Sequence, residues 1–329
     1  MRELSSLRVL VTGGAGFIGS ALVWGLNGRD CDRIVVADFL GQDEKWRNLA
    51  PLRFEDYVEA DTLLDRLERG ALGTFDLVLH MGACSATTER DAAYLLRNNY
   101  EYTRRLCAWS LEHDVRFVYA SSAATYGDGR AGMDDGVLRL SALRPLNMYG
   151  YSKHLFDVWA ARQQLFSRVV GLKFFNVFGP NEGHKGDMRS VVHKAYGQIR
   201  ETGRVQLFRS HHPDYGDGHQ VRDFVYVKDV VAMTLALAET DHGGLFNIGS
   251  GKAHTWIDLV TPIFGALGLP PAIDFVDMPD ALREKYQYRT QADVSRLRAA
   301  GYTQPTTPLA EAVWEYVTRY LVADERLGD

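Results

Sequence analysis

Leu7-Arg8-Val9-Leu10-Val11-Thr12-Gly13-Gly14-Ala15-Gly16-Phe17-Ile18-Gly19 decides the fold of this chain. The run Leu7–Val11 is short, apolar and rich in β-branched residues, the pattern of a strand buried on both faces. A turn of spaced glycines follows, then a helical segment through about Leu26. The glycines divide the work. Gly13 permits the tight turn, Gly16 lets backbone approach a pyrophosphate, and Gly19 lets helix and strand pack closely. The helix N-terminus presents unpaired N–H groups and a positive dipole end to a phosphate. A glycine-rich turn without a ligand is the plain alternative. The strand before it and the helix after it favour the dinucleotide reading.

Outward from this turn, strands and helices alternate. Arg33–Ala37, Phe75–His80, Val115–Ala120 and Val169–Phe174 read as strands, and about Thr62–Gly70, Asp91–His113 and Tyr149–Phe166 as helices. That alternation predicts an α/β protein with a doubly wound parallel sheet of Rossmann type and a smaller C-terminal α/β lobe. After Asn176 the pattern loosens. Gly179–Gly186 is turn-rich and Arg209–Gln220 is a polar loop carrying His211, His212 and His219. Arg222–Val227 and Phe246–Ile248 read as strands returning to the sheet. The expected division is residues 1–176 plus about 222–249 for the dinucleotide, and about 177–221 plus 250–329 for the substrate.

The chemistry sits in Tyr149-Gly150-Tyr151-Ser152-Lys153. On a helix, residues i and i+4 share a face, about 5–6 Å apart at Cβ. A Lys153 ammonium beside the Tyr149 phenol is expected to lower its pKa from about 10. The pair then forms an acid/base able to take a proton from an alcohol. Ala120–Gly127 supplies small residues at the end of a strand, the floor of a ligand crevice. Ser122 is expected to donate there to a carbonyl or alkoxide. Asp38 closes the second strand about 20 residues beyond the turn, where a carboxylate binds adenosine ribose and favours NAD. Lys45 is placed to reach a 2′-phosphate, or else is a solvated loop lysine.

The bulk numbers narrow the partners. The 329 residues are 46% hydrophobic and 24% charged, with a net charge of −5. No nucleic-acid or anionic-membrane partner is expected from that balance. Three cysteines, Cys31, Cys84 and Cys107, fit free thiols in a reducing compartment. Val9–Gly28 carries no charge after Arg2 and Arg8 but lacks a continuous apolar core, so it does not read as a signal peptide. A cytoplasmic protein is expected. The three histidines of the polar loop share no ligand spacing, and no metal is expected.

Further words in the chain carry a resemblance. They are Gly82-Ala83-Cys84-Ser85, Thr87-Thr88-Glu89, Asn98-Asn99-Tyr100, Pro145-Leu146-Asn147, Phe175-Asn176-Val177-Phe178-Gly179-Pro180 and Glu182-Gly183-His184-Lys185-Gly186, then Arg222–Val227 and Thr290-Gln291-Ala292-Asp293. Together with Tyr149–Lys153 they make the chain resemble the extended short-chain dehydrogenase/reductase family. Within that family it is similar to the nucleotide-sugar epimerases that invert C6 of ADP-heptose for lipopolysaccharide core synthesis. The glycine and Tyr-x-x-x-Lys words belong to the whole family, while Gly82–Ser85 and Glu182–Gly186 point to that branch.

The resemblance implies tightly bound NADP, with NAD the less favoured alternative, and a homo-oligomer such as a pentamer. It assigns Tyr149 and Lys185 as two acid/bases on opposite faces, with Lys153 on the nicotinamide ribose and Ser122 supporting Tyr149. It places Gly13, Gly16, Phe17, Ile18 and Gly19 against the dinucleotide. Asp38, Phe39 and Lys45 belong at its adenosine end, and Met81, Gly82, Ala83, Ser85, Asn98 and Val177 along it. For the substrate it assigns Ser85, Asn176, Lys194, Phe208, Arg209, Arg222 and Tyr286. The chain departs from the family pattern at Phe39, where an asparagine is expected, at Ala60, where a base is expected, and in the loop after Phe208. The rival readings are a sugar-nucleotide 4-epimerase or dehydratase, and an NADP-binding protein without turnover. Ala123 and Ala124 stand where a dehydratase would want an acidic pair. Intact Tyr149, Lys153 and Ser122 weigh against a non-catalytic binder.

Overall fold

The computed structural model describes residues 2–283 and 286–329. Its first half runs β1 (Val9–Thr12), α1 (Phe17–Asn27), β2 (Ile34–Asp38), β3 (Asp56–Glu59), α2 (Ala60–Glu68), β4 (Leu77–His80), α3 (Ala92–Leu95), α4 (Tyr102–Glu112), β5 (Arg116–Ser122), α5 (Met148–Arg162) and β6 (Val169–Phe174). The second half adds β7 (Asn176–Phe178), α6 (Val191–Thr202), β8 (Val205–Phe208), β9 (Val221–Arg222), β10 (Phe224–Tyr226), α7 (Val227–Glu239), β11 (Gly244–Ile248), β12 (His254–Thr255), α8 (Trp256–Ala266) and β13 (Ile273–Val276).

Seven strands make one parallel sheet in the order β11-β6-β5-β4-β1-β2-β3. The chain moves outward from β1 through β2 to β3, then restarts on the other side of β1 at β4. A crevice opens at that reversal, at the carboxyl ends of the strands. Successive strand residues feed opposite faces, as the two-residue period requires. Val9 and Val11 join the core on one side of the sheet, and Leu10 joins the core on the other. Because both faces are covered, the inner strands are continuous apolar runs rather than alternating ones.

Several elements differ from the sequence reading. The helix expected over Asp91–His113 is interrupted by a π-helical stretch, Leu96–Glu101. There Asn99 turns its side chain onto the Cys84 backbone, bonds the local turn could not otherwise reach. Strand β3 was not expected, because its sequence Asp-Tyr-Val-Glu is polar and only Val58 is buried. It is the sheet's outer edge. The expected strand Arg222–Val227 does not return to the main sheet. Arg222 pairs with His254 across β9 and β12, Phe224–Tyr226 pairs with Asn176–Phe178, and Val227 already starts α7. Only β11 rejoins the sheet, beside β6. No helix among the described residues is long and apolar enough to cross a membrane.

Candidate active site

A cleft of about 670 Å³ lies at the β1–β4 reversal. The glycine turn forms one wall, Met81–Ala86 another, and His184, Lys185 and Met188 a third. Gly13 has φ +65°, a conformation that favours glycine. A side chain at Gly13 would sit 2.6 Å from the Gly82 amide, and one at Gly19 would strike the Gly13 carbonyl oxygen. The β1 and β4 turns therefore approach each other backbone to backbone. Gly16 opens α1 with no side-chain cap, leaving that helix end to the cleft.

Asp38 is committed within the protein. Its Oδ2 accepts from the Ala15 and Gly16 amides at 2.9 and 3.1 Å. Its Oδ1 accepts from the Phe39 amide at 2.7 Å and from Lys45 Nζ at 3.1 Å. A carboxylate offers about four lone-pair sites, so these donors fill it. Lys45 also donates to the Phe39 carbonyl at 2.6 Å, so it is a held cation at the cleft and not a solvated loop lysine. Phe39 lies 49% exposed beside it.

A hydrogen-bond chain ties the cleft walls together below the surface. Thr103 Oγ1 donates to the Asn99 carbonyl at 2.7 Å and so accepts from His80 Nε2 at 2.9 Å. This leaves His80 Nδ1 to accept from Thr12 Oγ1 at 2.6 Å, and Thr12 Oγ1 accepts from the Gly82 amide. Burial, with the Lys153 charge nearby, pushes His80 down to about 3, so the ring is neutral. Asn99 grips both the amide and the carbonyl of Cys84 and donates to Ser152 Oγ at 3.1 Å, linking the Gly82–Ser85 turn to α5.

Asn147 caps α5 by accepting from the Gly150 amide, which starts the helix one residue before Tyr149. Ser122 Oγ accepts from the Ala124 amide at 3.1 Å. Burial raises the Tyr149 phenol above its ordinary value, and the nearby Ser122 hydroxyl only partly opposes this. The expected lowering by Lys153 is not what this arrangement gives. Lys153 Nζ donates to the Ala120 carbonyl at 2.9 Å, and desolvation brings Lys153 itself down to about 8.

Lys185 enters the cleft from the opposite wall. Its ammonium lies 5.2 Å from the ring centroid of Phe17, the first residue of α1. Burial lowers its pKa, with Glu182 opposing. The turn that carries it is clamped. Glu182 accepts from the Ser190 amide, Ser190 Oγ and Tyr316 Oη, all inside the fold. Asn48 Nδ2 donates to both the Ala15 and Asn181 carbonyls, and Asn181 Nδ2 to Ser20 Oγ. The Lys185 turn is thus fixed to the glycine turn and α1.

Phe17, Ile18, Met81, Ala83, Ser85 and Asn98 line the same cleft. Val177 does not; it pairs with Val225 in the β7–β10 ladder. Of the substrate positions, Asn176 donates to the Asp223 carbonyl and to Thr290 Oγ1. Arg222 is buried with its guanidinium over the rings of Tyr286 at 4.9 Å and Trp256 at 5.6 Å. Among the described residues no carboxylate pairs with it. Trp256 Nε1 donates to Tyr286 Oη at 2.9 Å, fixing that ring. Three expected positions are not gathered here. Lys194 is on the exposed face of α6, Phe208 is 37% exposed at the end of β8, and Arg209 turns to the Phe275 carbonyl and Asp277. The polar loop stacks His212 and Tyr215 on Tyr288, at 4.9 and 5.5 Å.

The glycine turn, Tyr149, Lys153 and Ser122 converge at one end of a seven-stranded sheet, and the NAD dependent epimerase/dehydratase family model matches residues 9–249. The chain belongs to that family. Among members of the NAD dependent epimerase/dehydratase family, an ADP-L-glycero-D-manno-heptose-6-epimerase of Nitratidesulfovibrio vulgaris strain Hildenborough is 55% identical over 95% of this chain and 98% of its own. The crystal structure of the Helicobacter pylori ADP-L-glycero-D-manno-heptose-6-epimerase superposes with a TM-score of 0.81 at 27% identity, covering 96% of each chain. A Thermus thermophilus UDP-glucose 4-epimerase in complex with NAD gives 0.75 at 27% identity, covering 96% of this chain and 99% of that one.

Other residues of this epimerase-family site were not found from the sequence. His80, Thr103, Asn48 and Glu182 act through side-chain bonds between distant segments, which no local spacing announces. Asp157 and Lys173 left a clue. A lysine inside the apolar strand Val169–Phe174 must be paired, since a buried lone charge is costly.

Proposed function

We propose that the protein interconverts ADP-D-glycero-D-manno-heptose and ADP-L-glycero-D-manno-heptose by inverting C6 of the heptose, with NADP held through the cycle. One observation carries this reading. Lys185 lines the cleft and is fixed over Phe17 by the clamped Asn181–Met188 turn, which supports it as a second proton carrier besides Tyr149. Inversion at an unactivated carbinol needs a transient ketone, and its hydroxyl proton leaves and returns on two faces. Two differently placed acid/bases suit that task. The identity to named C6 epimerases supports this substrate over a 4-epimerase substrate.

The cleft fits a dinucleotide: the backbone of the glycine turn is bare, and the α1 N-terminus has no side-chain cap. Bound there, a nicotinamide dinucleotide supplies reversible two-electron oxidation of the C6 carbinol. Gly13–Gly19 would hold its pyrophosphate, and Lys153 its nicotinamide ribose. Tyr149 Oη exchanges the C6 hydroxyl proton on one face, with Ser122 donating to the same oxygen. Lys185 Nζ exchanges it on the other. Burial lowers the Lys185 pKa, which eases the exchange of its proton with the C6 oxygen. Arg222 would take the diphosphate, and Asn176 and Tyr286 would orient the sugar.

The filled Asp38 carboxylate and the Lys45 ammonium beside it support NADP over NAD. A 2′-phosphate would meet a cation, while a ribose hydroxyl would find no free lone pair on Asp38. The reading also retains the two-part division of the chain, a homo-oligomer and a cytoplasmic site of action; the free thiols of Cys31, Cys84 and Cys107 support the last.

Lys185→Met tests the two-base reading. We expect kcat to fall about 10²-fold or more, since a general acid/base contributes about 10²–10⁴-fold. A rise in KM with kcat little changed would demote Lys185 to substrate binding. Denaturing the purified protein and weighing the released nucleotide tests the cofactor. Mostly NAD would overturn the NADP assignment.

A further inference from the structure

A buried ion pair lies directly behind the catalytic helix. Lys173 on β6 and Asp157 on α5 meet at 2.7 Å, with side chains 1% and 0% exposed. Asp157 also accepts from Tyr119 Oη at 2.7 Å and Ser121 Oγ at 2.8 Å. Lys173 Nζ donates in addition to Thr125 Oγ1 at 2.7 Å, and Thr125 Oγ1 donates to the Ser122 carbonyl at 2.8 Å.

The placement of this network relates it to the reacting groups. Tyr149, Lys153 and Asp157 recur at i, i+4 and i+8 on α5, close to one face of the helix. Lys153 holds the carbonyl of Ala120, and Asp157 holds the side chains of its neighbours Tyr119 and Ser121. One face of α5 thus grips consecutive residues of β5 just before Ser122. From the other side, Lys173 reaches through Thr125 to the backbone of Ser122 itself. Stability alone does not explain the pair. Replacing a buried ion pair with well-packed apolar residues is often neutral or stabilising.

We propose that the Asp157–Lys173 pair is a positioning device: it holds Ser122 and Lys153 in register with Tyr149 and offsets the burial of the Lys153 ammonium. This rests on the reading of Tyr149, Lys153 and Ser122 as the acid/base unit. The electrostatics agree. Burial lowers Lys153, and Asp157 is the foremost group pulling it back up. The charged and titratable groups that bear on Lys153 are Asp157 from α5, Cys84 from the Gly82–Ser85 turn and His80 from β4, with Tyr149 one turn earlier on the same helix. Tyr119 on β5 and Lys173 on β6 lie behind Asp157.

Charge sign makes the test specific. Asp157→Asn removes the negative neighbour and leaves Lys173 positive, so the alkaline limb of the kcat profile should move to lower pH. Lys173→Met leaves Asp157 uncompensated, so the limb should move to higher pH. Each should lower kcat about tenfold or more, with KM within about twofold, and Lys173→Arg should restore most of it. If the single variants do not fold, the apolar double variant Asp157→Leu/Lys173→Met serves instead. It should melt like the wild type yet keep the kcat loss and a limb at lower pH. NADPH affinity, read from tryptophan fluorescence, should weaken with it through Lys153. Full activity and an unmoved limb in the folded double variant, or single variants that shift the limb in one common direction, would overturn the proposal. Tyr149→Phe separates the two readings. If it stays active, the acid/base reading fails; if it is inactive while the double variant is normal, only this inference fails.

Discussion

The side of this molecule that we assign to the dinucleotide and the side that we assign to the substrate are built differently. On the dinucleotide side, backbone atoms set the geometry. Gly13 abuts Gly82, the Ala15 and Gly16 amides close on Asp38, and Asn99 holds both the amide and carbonyl of Cys84. On the substrate side, side chains set it. Arg222 rests on the rings of Trp256 and Tyr286, and His212 and Tyr215 rest on Tyr288. A backbone cradle tolerates almost no change, since one added Cβ must displace another strand's backbone. A cluster of rings can repack.

The contrast is broken most directly by Tyr149→Phe, which stands between the two sides. Its kcat should fall about 10²–10⁴-fold, while the dinucleotide still co-purifies. Loss of the dinucleotide would mean that the phenol anchors and does not transfer protons. On the backbone side, Gly19→Ala pushes a methyl into the Gly13 carbonyl. We expect at least about tenfold less bound dinucleotide in the purified protein, measured by absorbance of the released nucleotide. Normal occupancy would show that this turn is not the cradle.

The substrate side should respond in another currency. Arg222→Met removes a buried guanidinium and should raise KM about 10- to 100-fold, with kcat within about threefold. A fall in kcat alone would move Arg222 from binding to chemistry. His212→Ala, farther out in the ring cluster, should change KM by no more than about threefold.

How legible each side was in the sequence follows the same division. Gly13, Gly16 and Gly19 were readable because a tight turn leaves a fixed spacing along the chain. Tyr149 and Lys153 were readable because one helix face carries both. Lys45 was ambiguous, since nothing local says that it folds back onto Asp38. The contacts of Arg209 were hidden because its partner, the Phe275 carbonyl, comes from a strand far along the chain. The split of Arg222–Val227 between two small ladders was hidden for the same reason: each half pairs with a different distant segment. The lowering of Tyr149 failed on energetics, because burial of the phenol raises its pKa more than Ser122 lowers it.

The smallest expected effect concerns pH. Burial lowers His80 to about 3 and His184 and His193 to about 4. Each stays neutral in the fold but takes a proton in the unfolded chain below about 6.5. Their stabilisation is full above that pH and is lost as pH falls toward the folded values. Asp135, raised by burial to about 6, acts in the opposite sense over part of that range. The melting temperature should fall by about 2–5 °C between pH 7 and pH 5, and His193→Asn should flatten the slope. A slope unchanged in His193→Asn would remove that histidine from the account.

If one cleft oxidises and re-reduces C6 from two faces, the protein inverts C6 with no net redox change. The direct measurement is to incubate the purified protein with ADP-D-glycero-D-manno-heptose, adding no dinucleotide, and to follow the C6 configuration by proton NMR. Signals of the L-glycero epimer should grow to a stable mixture of the two epimers, with no ketone accumulating. Unchanged starting material under conditions where the protein is folded and carries its dinucleotide, or inversion at a carbon other than C6, would contradict this reading.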